Sequence, residues 1–307
     1  MSHVNYDVII IGGSYAGLSA ALQLGRARQK VLIVDEGLRR NRFASHSHGF
    51  LTQDHVDPAE IAAEARAQVM EYRTVEWVSG RADSAQRHIE VGSGDPSFEV
   101  GVRETIYHSR RLILALGVRD ILPDIDGLKE RWGKSVFHCP YCHGYELHQG
   151  KIGVIAGSPL SMHHALMLPD WGPTSLLLNQ AFEPDTDQLH ALAVRGVVIE
   201  HSPVMAIRNH ADVQLADGRT LCFSGLFALA PFELSTSIAQ QLGLDMEQGP
   251  LGSTIKTDAM KETSMPGVFT CGDAARPMAS VALAVGDGAL AGVGAHRSLM
   301  LGTAARA

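Results

Sequence analysis

The chain has 307 residues, 45% of them hydrophobic and 19% charged, with a formal net charge of −7 at pH 7. That length suits two domains, each able to bury its own core. The acidic balance, with basic residues only in pairs such as Arg39-Arg40 and Arg110-Arg111, argues against nucleic acid and anionic membrane surfaces as partners. Apolar runs such as 8–11 and 112–116 are too short to span a bilayer, and the N-terminus enters a strand pattern at once, so a reducing cytoplasm is the expected compartment.

Residues 7–11 form a compact β run that meets Gly12-Gly13-Ser14-Tyr15-Ala16-Gly17, followed by helical periodicity over 18–28 and a second strand over 31–34 ending at Asp35. A dinucleotide site needs this context: pyrophosphate on the helix N-terminus, with a carboxylate roughly 20 residues on for the ribose. Gly12, Gly13, Ser14, Ala16, Gly17 and Asp35 are therefore the candidate cofactor-binding residues. Ser14 departs from the pattern at the middle glycine, where a small side chain still allows close approach. Further on, 111–117 is an apolar strand closing on glycine, and the Pro, Gly and acid content of 118–127 marks a domain crossing. A second strand–turn–helix starts at Lys151, 226–230 is another apolar strand, and 231–233 reads as the return crossing. A strand over 267–271 ends in Gly272-Asp273, before a Gly- and Ala-rich helix over 280–299. The two βαβ halves are the internal duplication.

Between the halves stands Cys139-Pro140-Tyr141-Cys142-His143. Two thiols at C-x-x-C spacing can close into a disulfide and reopen, moving two electrons. A flavin takes two electrons as well. The competing reading of this spacing is half a zinc site, for which His138, His143 and His148 could supply nitrogens. Cys222 and Cys271 are isolated in apolar strands and read as small core residues.

These motifs, in this order over essentially the whole chain, resemble low-molecular-weight thioredoxin reductase. The resemblance implies an α/β protein of two Rossmann-like domains: a discontinuous FAD domain over 1–118 and 235–307, interrupted by a nicotinamide-nucleotide-type domain over 119–234 that carries the dithiol. It implies FAD as cofactor and a homodimer. Gly272 and Asp273 would then meet the flavin's ribityl or phosphate region, and the helix around Val285-Gly286-Asp287-Gly288 would approach its ring. Cys142 would face the flavin, and Cys139 would exchange with substrate. Within that superfamily, C-P-Y-C-H-G-Y-E looks closer to the flavoprotein dithiol oxidases that close disulfides of gliotoxin, holomycin and romidepsin-type products. Where reductases carry Asp after the second Cys, this chain has His143, whose ordinary pKa suits taking and returning protons at neutral pH. Catalysis is thus expected from Cys139, Cys142 and His143.

The second nucleotide turn reads Ala156-Gly157-Ser158-Pro159-Leu160-Ser161: two glycines are replaced, and Pro159 removes an N–H. No Lys or Arg occurs over 152–194, and Asn179 and Gln180 precede the acids Glu183, Asp185 and Asp187, so a 2′-phosphate finds no cation. The expectation is a retained fold that has lost its nucleotide. The leading function is oxidation of a small-molecule dithiol with O2 as acceptor and hydrogen peroxide as product. An NAD(P)H-driven reductase of a thioredoxin-like protein is the alternative, and a flavin-bound redox sensor or ferredoxin-linked reductase a further one. His46 and His48 fall in a loop that family members place beside the flavin. His138 and His148 read as surface or supporting positions, and His163-His164 as a solvated helix face.

Overall fold

The computed structural model describes residues 5–89 and 95–302. The chain divides into two compact units, Met1–Arg42 with Ala59–Arg119 and Phe232–Ala307 in the first, and Phe43–Pro58 with Asp120–Pro231 in the second. Residues 43–58 precede most of the first unit in sequence yet cluster with the second.

In the first unit, β1 (Asn5–Ile11) leads through a tight turn into α1 (Tyr15–Arg26) and back to β2 (Val31–Asp35). A helix, α2 (Pro58–Met70), precedes β3 (Val75–Ser79), and an antiparallel set β4 (Ser84–Ile89), β5 (Pro96–Val102) and β6 (Thr105–Leu114) follows. The sheet runs β3-β2-β1-β6-β5-β4, with the strand Val268–Thr270 added parallel to β6. β1 lies parallel between β2 and β6, pairing Ile9 with Leu32 and Leu112. Covered on both sides, it is a continuous apolar run, and Val8, Ile9 and Ile10 are wholly buried. The long helix Val281–Leu301 opens on Ser280, whose hydroxyl accepts the Leu283 N–H at 3.1 Å. It lies so close on α1 that a Cβ on Gly288 would meet the Ala16 carbonyl oxygen. Gly288 thus has a packing reason inside this unit.

The second unit has a wholly parallel sheet. Its members are β7 (Val136–Phe137), β8 (Ile152–Ile155), β9 (Thr174–Leu177), β10 (Val198–Glu200) and β11 (Gly225–Ala228), in the order β10-β9-β8-β11-β7. Two short helices serve the site, α3 (Pro140–His143) after β7 and α4 (Ser161–Met167) after β8. A three-stranded antiparallel sheet ends at Thr220–Cys222, and there Cys222 is exposed rather than the core residue expected, because that strand is its sheet's edge. Cys271 is buried as expected, and desolvation pushes its thiol up to about 12, leaving it inert. Among the described residues no helix is long and apolar enough to cross a membrane.

Candidate functional site

The turn after β1 is built for a dinucleotide. Gly12 has φ +104, a left-handed conformation that favours glycine, and a Cβ there would meet the Ala115 carbonyl. A Cβ on Gly17 would strike the Gly12 carbonyl, so α1 can rise from the turn only with glycine at this position. Gly13 donates its N–H to Asp35 Oδ1 at 2.9 Å, which ties the end of β2 to the turn. The first turn of α1 carries no acid, and the hydroxyl of its N-cap, Ser14, caps nothing. The helix start thus presents N–H donors and positive dipole to an anion. Ala16, the second residue of α1, has its methyl facing Gly272, itself at φ +71. Asp273 accepts from Arg40 at 2.9 Å. These residues fit the pyrophosphate and ribose of FAD: Gly12 to Gly17 would hold the phosphates, Asp35 the ribose, and the Arg40–Asp273 pair borders the same helix end. Beneath lies Asp287, 3% exposed, held by Lys261 at 2.9 Å and Arg276 at 3.0 Å.

The corresponding turn in the second unit satisfies itself. The Gly157 N–H goes to the Ser161 hydroxyl at 3.2 Å and the Leu160 N–H to the Ser158 hydroxyl at 3.3 Å. The Ser161, Met162 and His163 amides bond to carbonyls of Ser158, Pro159 and Leu160. Beyond β9, Asn179 and Gln180 both adopt positive φ, and the Asn179 side-chain oxygen accepts from the Val204 N–H. α4 carries His163 outward, but His164 is 3% exposed, with its ring edge-on to Phe227. The two therefore do not form a solvated face. The seven-residue helix packs directly on the sheet and turns one of two adjacent residues inward. Burial lowers the His164 pKa to about 4, with His163 and His138 adding to the effect.

Cys139 and Cys142 are joined as a disulfide across α3, their Cα atoms 5.3 Å apart. Cys139 is the extended N-cap residue and Pro140 takes the first helical position, where a missing N–H is harmless. Neither sulfur is a free thiolate for zinc. His143, at the other end of α3, stacks on Phe137 with ring centroids 4.3 Å apart. Burial, then His138 and His48, lower its pKa to about 4. His143 is therefore a neutral imidazole at pH 7, able to accept a proton, rather than a group poised at its ordinary value. Tyr141, between the cysteines, is 74% exposed and meets Trp171 edge-on.

The loop 43–58 brings a histidine cluster that motif reading did not join to the dithiol. His48 sits edge-on to His143 at a centroid distance of 6.3 Å. Its Nδ1 lies 3.4 Å from Glu146 Oε1 and 3.7 Å from Asp54 Oδ1. His55 lies 5.2 Å from His48, and His46 stacks on His55 at 4.7 Å. Three histidines within ten residues of a loop were the available signal; their target was not. His138 stacks on Trp132, and His148 is exposed at the end of the turn after α3.

Fold, glycine turn and disulfide together define a flavin-dependent thiol–disulfide oxidoreductase. Residues 6–288 match the family described as pyridine nucleotide-disulphide oxidoreductase, and the chain belongs to it. This is a family of FAD-binding flavoproteins, and FAD is the cofactor the first unit fits. The chain is 33% identical to thioredoxin reductase tcpT of Claviceps purpurea, over 96% of this chain and 94% of that one. It is 30% identical to thioredoxin reductase sirT of Leptosphaeria maculans, over 95% and 93%. Among solved structures, an oxidoreductase from Agrobacterium tumefaciens is similar with a TM-score of 0.93 and 58% identity, covering 97% of this chain and 100% of that one. The structure of HlmI is similar at 0.90 and 34% identity, over 98% and 94%.

Proposed function

We propose that this chain is an FAD-dependent dithiol oxidase, taking two electrons from a small-molecule dithiol through the Cys139–Cys142 pair with O2 as final acceptor and hydrogen peroxide as product. What carries this reading is the second glycine turn. The Gly157 and Leu160 N–H groups are spent on the Ser161 and Ser158 hydroxyls and those of Ser161, Met162 and His163 on backbone carbonyls, Pro159 has none, and no Lys or Arg occurs over 152–194. A nicotinamide nucleotide would have to break those bonds and would find no cation for a 2′-phosphate. Electrons entering from a dithiol need no such site.

The reaction begins when one substrate thiolate attacks Cys139 Sγ, breaking the Cys139–Cys142 bond and forming a mixed disulfide. The second substrate thiol then attacks the sulfur bound to Cys139, which closes the substrate's disulfide and leaves both cysteines reduced. Neutral His143 at the end of α3 accepts the thiol proton in each attack and returns it to a departing sulfur. Bound FAD supplies the acceptor for the electron pair and the centre from which O2 is reduced.

Anaerobic mixing tests this. Dithiothreitol should bleach the flavin while NADPH leaves it oxidised, and in air the enzyme should produce hydrogen peroxide in step with disulfide. Sustained NADPH oxidation with thioredoxin as acceptor, at a rate near the ~10 s⁻¹ typical of enzymes, would hand the chain to the reductase reading.

A further inference from the structure

Closing the Cys139–Cys142 bond after each turnover removes two electrons and two protons from the pair. Bound FAD would take the electron pair, and O2, reduced to hydrogen peroxide, takes up the two protons; a proton that His143 accepts on the way must leave it again before the next cycle. Its ring is stacked on Phe137 and mostly buried. We propose that His48 carries protons between His143 and solvent, as the inner rung of a ladder of four imidazoles. The inference rests on the dithiol-oxidase reading for its direction, though not for its chemistry.

Three observations support it. First, the series runs from the interior to the surface: His143 and His48 are both partly buried, the His48 side chain only 9% exposed, whereas His55 and His46 are exposed. Second, successive centroid distances of 6.3, 5.2 and 4.7 Å leave gaps that a bridging water or a ring rotation can close. Third, His48 is oriented. Its Nδ1 faces Glu146 and Asp54, so Nδ1–H is the favoured tautomer and Nε2 is left to exchange. The charged or titratable groups around His48 are thus Asp54, His46 and His55 from its own loop, and His143 and Glu146 from α3 and the turn after it. Those around His143 are His48 and His138. The loop contributes no sulfur chemistry of its own. Its position beside α3 gives its histidines this use.

The decisive variant is His48→Phe, which keeps an aromatic ring but removes both nitrogens. Flavin content and far-UV circular dichroism establish that it folds, and His48→Gln replaces it if it does not. Anaerobic flavin reduction by dithiothreitol should slow by about tenfold to a hundredfold, the lower range of acid–base assistance. Added imidazole at constant ionic strength should restore much of the loss in the variant while leaving wild type unchanged. A merely structural role would not give that rescue. A rate within twofold of wild type, or a loss that imidazole does not relieve, overturns the proposal. A wild type that dithiothreitol fails to bleach would instead refute the oxidase reading. His48 is then judged by the same comparison on exchange between the reduced protein and a small uncharged disulfide, where thiol protons are lost whichever way electrons flow.

Discussion

His164 offers a quantitative check on the electrostatics beneath the dithiol. It lies at the centre of α4, buried against Phe227, and a backbone hydrogen bond at His138 connects it to the residue before Cys139. Its Nδ1 has no partner, and desolvation dominates the lowering of its pKa from 6.5 to about 4. Because the native value lies below the unfolded one, the unfolded chain binds the proton first as pH falls. Stability is therefore unaffected above about pH 6.5, declines between 6.5 and 4, and carries the full penalty below 4. At about 1.4 kcal/mol per unit, the full penalty approaches ~3 kcal/mol, of which about 2 kcal/mol is already felt at pH 5. His164→Gln cannot titrate. Urea unfolding of both proteins at pH 7.5 and 5.0 should show the variant gaining about 2 kcal/mol relative to wild type at the lower pH. Carboxylates and His143 titrate in both proteins and cancel in the comparison. Amide exchange over 161–167 assigns the effect to α4, since two units need not unfold together. A difference that stays within about 0.5 kcal/mol between the two pH values, the usual limit of additivity, would refute a neutral His164.

Gly17→Val should give protein without yellow colour, because the new side chain meets the Gly12 carbonyl and displaces α1 from the turn; retention of flavin absorbance would relocate the cofactor. Cys139→Ser and Cys142→Ser should each abolish dithiol turnover with flavin content intact, and His143→Ala should slow it by about 10²- to 10⁴-fold, the range for a lost acid–base group. A loss below about threefold, far short of that range, would reduce His143 to a packing residue. Asp287→Ala strands Lys261 and Arg276 beside a buried site, so unfolding free energy should drop by about 3–5 kcal/mol, measurable by denaturant titration.

Much of this protein is written locally. The apolar run into Gly12–Gly17, the return to Asp35 and the C-x-x-C with Pro140 are short-range patterns whose backbone demands, a left-handed glycine or a helix start, leave few alternatives. Even the unsuitability of the second turn is legible as Ala156, Ser158 and Pro159, although only the structure places the Ser158 and Ser161 hydroxyls on the Leu160 and Gly157 amides. Tertiary structure decided the rest. Gly288 is explained by α1 lying against it, and the inward turn of His164 by how α4 sits on its sheet. His48 was an unattached loop histidine in the sequence, more than ninety positions from His143, and local periodicity carries no information over that separation. The packing of 43–58 into the second unit sets those two rings edge-on to each other and, with burial, keeps His143 neutral. Desolvation and proximity are properties of the folded surroundings, so the residue types were readable from the chain while their protonation and partnership were not.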